Sequence, residues 1–263
     1  MYYIFLFLLA IIPSIIILTM IYRKDKEKEP KKLLLCLFAA GILSCFVTLF
    51  LSNNLESIFP FFNSENVKLY TKNYIYLFVY CFFGIGLIEE FSKWLFIYNI
   101  TWNNKNFDHI YDSIVYSVFV SLGFATFENI LYVMTEGVRV AILRSIFSVP
   151  GHASFAIIMG YYIGMSKLTS IKGNATLSKK YKVLSIILPA LVHALFDFLL
   201  FSNNLFLLLI FLIFIIYIYI KAIKKVNQFS RIEVNLDDKR YCIICGKVVS
   251  GNYCSNCGAK IED

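Results

Sequence analysis

The chain has 263 residues, of which 59% are hydrophobic and 17% aromatic, with a mean hydropathy of +0.70. Soluble domains are roughly half apolar, so this composition excludes a water-soluble globule and points to a polytopic membrane protein. The formal charge of +8, from 25 Lys and Arg against 17 Asp and Glu, is spread over loops between apolar runs rather than gathered into a patch, which argues against a nucleic-acid partner and for a chain threaded through a lipid bilayer.

The first apolar run, 2–22, is longer than the roughly 7–15 apolar residues of a cleavable signal, and its basic residues follow it, so it reads as a retained first helix. A basic loop, RKDKEKEPKK at 23–32, leads to a second span at 33–51 and a connection to 73 whose LESIFPFF is expected at the membrane interface. The third span is 74–100, the fourth about 109–134, and a fifth apolar run begins at Gly137 and continues to 166. Pro150 interrupts that run. Proline lacks an N–H and clashes with the carbonyl four residues back, so 138–149 is expected as a separate or kinked piece whose freed carbonyls line a cavity. A polar loop at 167–182 precedes a sixth span at 183–201 and a seventh at 204–220.

The expected fold class is therefore an all-α polytopic membrane protein: about seven transmembrane helices in a bundle, with an eighth if Pro150 splits the fifth. Lys and Arg number six in the 23–32 loop and five in the 167–182 loop, against two at 52–73 and one at 101–108. With seven spans the two richest loops share a side with Lys221, Lys224 and Lys225. The positive-inside rule then predicts an outside N-terminus and a cytoplasmic C-terminal tail.

Cys36, Cys45 and Cys81 stand singly in apolar segments and read as small hydrophobes. The other four form C-x2-C-x8-C-x2-C: Cys242, Cys245, Cys254 and Cys257. Two Cys-x-x-Cys knuckles, each followed by Gly, can present four thiolates tetrahedrally to Zn(II). A cytoplasmic location disfavours the alternative of two disulfides. Four Cys ligands leave no open coordination position, so this zinc is expected to be structural, in a ribbon that could dock a protein partner. The expected division is 1–225 membrane domain, 226–240 linker and 241–263 cytoplasmic zinc ribbon.

Ionisable groups inside apolar spans are costly, and they usually face a bundle interior and mark function. Glu89, Glu90 and Lys93 lie in the third span, Glu128 and Asn129 in the fourth, Arg144 and His152 in the fifth, and His193 and Asp197 in the sixth. Glu89 and Lys93 are four apart and share a helix face, as do His193 and Asp197; adjacent Glu89 and Glu90 point about 100 degrees apart and are expected to take different partners, Arg144 or Lys93 among them. Each group has a bland reading: an intrahelical Glu89–Lys93 pair, a helix-packing His152, a local bond in HALFD, a Lys93 that snorkels to the surface. Four spans carry such groups while the first, second and seventh carry essentially none, and this segregation suggests one shared cavity. Asp112 and His109 are expected at the interface, with Asp112 as a candidate supporting group. Ser154 points about 200 degrees away from His152 and is no nucleophile.

In order and spacing, GLIEEFSKWLF, GFATFENILY, the stretch from Arg144 to PGHASFAIIMG, and HALFD resemble the PrsW family of intramembrane proteases, over about residues 74–202. The resemblance implies hydrolysis of membrane-anchored protein substrates, such as anti-sigma factors in regulated intramembrane proteolysis, and a distant relation to CAAX prenyl proteases. It also implies catalytic roles for Glu89, Glu90, Glu128, His152 and His193, with Lys93, Arg144, Asp197 and Asn129 supporting. The residues themselves allow a glutamate general base assisted by imidazole, or a catalytic metal held by two histidines and a glutamate. The glutamate mechanism is preferred, because only His193 has an evident orienting carboxylate. A proton- or cation-coupled transporter and a ribbon-based signalling scaffold are the competing classes.

Overall fold

The structure is a computed structural model that describes residues 2–63, 73–231, 236, 242–247, 249 and 253–260. Among these residues seven helices are long and apolar enough to cross a membrane: α1 Tyr2–Lys24, α2 Lys31–Ile58, α3 Tyr74–Thr101, α4 Ile110–Glu136, α5 Val138–Ile171, α6 Ala175–Phe201 and α7 Leu205–Arg231. The protein is a multi-pass membrane protein.

Helix α4 is the axis of the bundle, flanked by α1, α2, α3 and α5, with α6 closing against α3 and α5. Its sequence explains the position. Hydrophobic burial alone does not drive helices together in lipid, so small and weakly polar side chains do so by close packing and interhelical hydrogen bonds. Ser113 Oγ donates to the Gly160 carbonyl of α5 at 2.7 Å, Ser121 Oγ to the His152 carbonyl at 3.0 Å, and Thr126 Oγ1 bonds Ser14 Oγ of α1 at 2.8 Å. On α3, a Cβ at Gly86 would stand 2.7 Å from the Ala190 carbonyl oxygen of α6, so only glycine lets the two helices carrying Glu89 and His193 approach this closely. The outer helices α1 and α7 bury a narrow stripe and turn the rest toward lipid.

Several boundaries differ from expectation. The fifth run is one continuous helix of 34 residues, so Pro150 does not split it. The proline is absorbed by a π-helical turn at Arg144–Ser148 immediately before it, and the carbonyls thereby loosened, those of Ile146 and Phe147, share the Tyr219 hydroxyl of α7 at 3.0 and 2.8 Å. They are held by α7. A second π-helical turn, Tyr80–Gly86, lies in α3 just ahead of the glutamate pair. The loop read at 167–182 is largely helical: α5 and α6 meet in a turn at Gly173, whose φ of +77 suits glycine. Helix α7 runs past Lys225 to Arg231, into the segment read as linker. LESIFPFF ends α2 and continues into a 3-10 turn at Pro60–Phe62; the rest of that connection, 64–72, lies outside the described residues.

Candidate active site

The polar side chains of α3, α4, α5 and α6 converge. Lys93, fully buried, donates its three ammonium protons to Glu89 Oε2 at 3.2 Å, Glu90 Oε1 at 2.8 Å and His152 Nδ1 at 3.2 Å. Nδ1 of His152 is thus an acceptor, and its Nε2–H donates to Glu128 Oε2 at 3.1 Å. Glu128 Oε2 also takes a 2.7 Å bond from Arg144, whose Nε donates to Asn129 Oδ1 at 2.8 Å. On the other side His193 Nδ1 lies 3.0 Å from Glu90 Oε1, while its Nε2 faces Asp197 Oδ2 at 3.6 Å. His193 therefore sits between Glu90 and Asp197, and His152 between Lys93 and Glu128.

Four expectations need correction. Glu89 and Glu90 do not take different first partners, because a long lysine side chain at i+3 and i+4 reaches both. Arg144 pairs with Glu128 and Asn129, not with the glutamate pair. Lys93 does not snorkel; it lies over the Phe124 ring at 4.1 Å, in the middle of the cluster. Asp112 is no supporting group: it caps the far end of α4, where its carboxylate accepts from the His109 backbone N–H at 2.6 Å, sixteen residues or about 24 Å along the helix from Glu128.

A cavity of about 560 Å³ opens beside the cluster, and Glu89, Glu128, Arg144, His152, His193 and Asp197 reach its wall. Glu90 and Lys93 do not. Glu128 and His193 each stand eight residues before the C-terminal ends of α4 and α6, about 12 Å in from the face opposite the cysteine segment. One donor atom each from Glu89, Glu90, His152 and His193 lie within 4.8 Å of one another, a spacing that could hold a metal ion. Sequence reading missed three neighbours: Phe124 under Lys93, Phe155 stacked on His193 at 4.8 Å between centroids, and Ser121 bonded to the His152 backbone. Two of them lie one helical turn from a named residue, Phe124 from Glu128 and Phe155 from His152, and that spacing was the available signal.

The cysteines form the second grouping. Cys242, Cys245, Cys254 and Cys257 come together with Sγ–Sγ distances of 3.5 Å for Cys242–Cys257 and 3.4 Å for Cys245–Cys254. The two knuckles repeat one turn: Gly246 N–H donates to the Cys242 carbonyl and Gly258 N–H to that of Cys254, both glycines at positive φ. Four thiols so close can bind a metal.

Fold and site together define a class, a polytopic membrane protein with a carboxylate–imidazole centre buried inside its helix bundle. Comparison with known proteins narrows it: a family model described as "PrsW family intramembrane metalloprotease" matches residues 29–222. The chain belongs to the PrsW family of intramembrane proteases, and the protein is an intramembrane peptidase. It is 36% identical over 221 residues to Protease PrsW of Oceanobacillus iheyensis, covering 83% of this chain and 94% of that one. It is 33% identical over 228 residues to Protease PrsW of Bacillus subtilis, covering 86% and 97%, and 30% identical over 232 residues to Protease PrsW of Shouchella clausii, covering 87% and 99%. No solved structure gives a significant match. Family membership supports the protease reading over the transporter.

Proposed function

We propose that the chain hydrolyses peptide bonds of membrane-anchored protein substrates at the Glu89, Glu90, His152, His193 cluster, and that the cluster holds a divalent metal ion. The observation that supports this most is the flanking of both imidazoles by carboxylates, Glu128 for His152 and Asp197 for His193. Metal-ligating histidines are oriented in this way. The case for a metal-free glutamate mechanism rested on His152 lacking such a partner, and Glu128 supplies it.

Two further features fit a cation. Glu90 Oε2 is buried with no hydrogen-bond partner, a state that costs free energy unless something binds it. Among the described residues four carboxylates, Glu89, Glu90, Glu128 and Asp197, share two permanently charged partners, Lys93 and Arg144, so the cluster holds more carboxylates than lysine and arginine pair. Charge at that depth is expensive, and a divalent ion would balance it.

His152, His193 and Glu90 would hold the ion. Once bound, it would lower the pKa of a water and polarise the scissile carbonyl. Glu89, the member of the pair that reaches the cavity, acts as general base, takes the water's proton and returns it to the leaving amine. Lys93 holds the two carboxylates together, and Arg144 with Asn129 fixes Glu128 behind His152. The apolar remainder of the cavity wall, including Phe147, Phe196 and Leu208, suits an apolar substrate segment and excludes bulk water.

In this reading 1–225 is the protease domain with its motif core at 74–202, 226–240 the linker and 241–263 a zinc ribbon that serves structure or docking. Anti-sigma-factor-type substrates follow from the family resemblance. The basic loops support a cytoplasmic ribbon and an outside N-terminus; a reporter fused after Asp263 should behave as cytoplasmic, and translocation would reverse the orientation. The metal is tested by its stoichiometry in purified full-length protein. Wild type should carry two ions, the His152→Ala/His193→Ala double variant only the ribbon's, and a variant with its four ribbon cysteines changed to serine only the membrane one. A cysteine-free ribbon variant that cleaves substrate while carrying no metal would overturn the metal reading.

A further inference from the structure

A second groove, of about 330 Å³, lies between α1, α5 and α7, on the side of α5 away from His152. Ala153, Ser154 and Ile157 of α5 and Ala222 and Val226 of α7 are buried along it, and Ile17, Met20 and Ile21 of α1 form the opposite wall. It runs from Ile17 and Tyr219 at mid-helix to Lys24 and Asn227 near the helix ends, seven to eight residues or about 10–12 Å. One leaflet of a hydrocarbon core is about 15 Å deep, half of roughly 30 Å, so the groove has the depth of a single acyl chain.

Its two ends differ chemically. The inner end is apolar. At the interfacial end Lys24 Nζ donates to the neutral Asn227 Oδ1 at 2.6 Å, which leaves the Asn227 amide N–H and the remaining ammonium protons as donors. Among the described residues Lys24 has no carboxylate partner, and no acidic residue lines the groove. An apolar slot of one-leaflet depth, closed at the headgroup level by a cation and an amide donor, matches an anionic phospholipid.

We infer that this groove is a binding site for one anionic phospholipid, its acyl chain between α1, α5 and α7 and its phosphate on Lys24 and Asn227. The site is distinct from the catalytic cavity but shares structure with it: Tyr219, in the groove wall, bonds the π-helical turn that carries Arg144.

The test uses purified full-length protein in vesicles of phosphatidylcholine doped with phosphatidylglycerol, followed by gentle solubilisation and native mass spectrometry of retained lipid. Wild type should keep phosphatidylglycerol several-fold over its share in the vesicle. Lys24→Gln with Asn227→Leu, both outside the catalytic cluster, should lose the preference while lipid is still retained; Ala222→Phe, which fills the slot, should lose retention itself. Retention of the two lipids in proportion to the vesicle, or an unchanged preference in the Lys24/Asn227 variant, would overturn the site. So would displacement of the lipid by a membrane-anchored substrate segment that crosslinks at position 222, which would assign the groove to substrate.

Discussion

Two of the metal-capable groups among the described residues, the cysteine quartet and the Glu–His quartet, are built by opposite means. The cysteine quartet comes from sixteen consecutive positions, 242–257, and its geometry is local: two repeated turns, each set by a glycine at positive φ. The Glu–His quartet spans 89–193 and exists only because three helices pack, at contacts such as Gly86 against Ala190. Four thiolates close a coordination shell, whereas a mixed carboxylate–imidazole set beside a cavity leaves room for water and substrate. The first arrangement suits structure and the second chemistry.

That contrast is broken most directly by removing Glu89. Glu89→Gln keeps the shape but not the base, and hydrolysis should fall on the order of 10³-fold with substrate binding retained. Glu90→Gln should instead weaken metal retention, because Glu90 bonds Lys93 and His193 rather than facing the cavity. Equal, near-wild-type turnover in both variants, measured on a co-reconstituted single-span substrate, would remove the glutamates from the mechanism.

The matching change on the local side is Cys245→Ser. It should release the ribbon's metal and unfold a segment too short to hold a core of its own, while cleavage by the membrane domain stays within about two-fold, a change worth less than half a kcal/mol. Loss of cleavage would mean that the two groups are coupled rather than independent.

A smaller effect is expected one contact further out. Arg144→Ala frees Glu128, so His152 loses its fixed orientation and activity should drop about 10–100-fold. Arg144→Lys should recover part of this, since a lysine keeps the charge but cannot bond Glu128 and Asn129 together. No difference between the two variants would argue that charge alone matters at that position.

The smallest effect comes from a buried carboxylate outside both groups. Glu29, in the loop between α1 and α2, is 5% exposed, with Oε2 unpartnered, and burial raises its pKa from 4.5 to about 7. Burial also raises Asp25. A raised carboxylate stabilises the fold fully below its unfolded pKa, and that contribution is lost as pH rises through the folded value. Thermal stability should therefore decline between about pH 4.5 and pH 7, and Glu29→Gln should flatten the decline by a few degrees in Tm. A decline of the same size in the variant would show that Glu29 does not carry it.

Much of the site was legible residue by residue, because an ionisable group in an apolar span announces itself by its cost. The wiring was not. Helical geometry placed Lys93 beside Glu89 but could not show one ammonium bridging Glu89, Glu90 and His152. Nor could it show that Glu128, from α4, would orient His152 while Arg144 stood behind it. The response to Pro150 was also out of reach: whether a helix breaks, kinks or inserts a π-helical turn depends on what can bond the loosened carbonyls, and here that is Tyr219, some seventy residues away.

What the sequence determined alone is what depends on short range or on solvent: seven apolar spans long enough for a bilayer, a cysteine segment with metal-ligand spacing, and the roster of charged groups that lipid would not tolerate unpaired. Only the tertiary structure decided which of those groups meet, which glutamate faces the cavity and how deep the cluster lies. Those outcomes turn on contacts of a few ångströms between helices far apart in the chain, set by glycines and serines at the crossings, and no local periodicity encodes them.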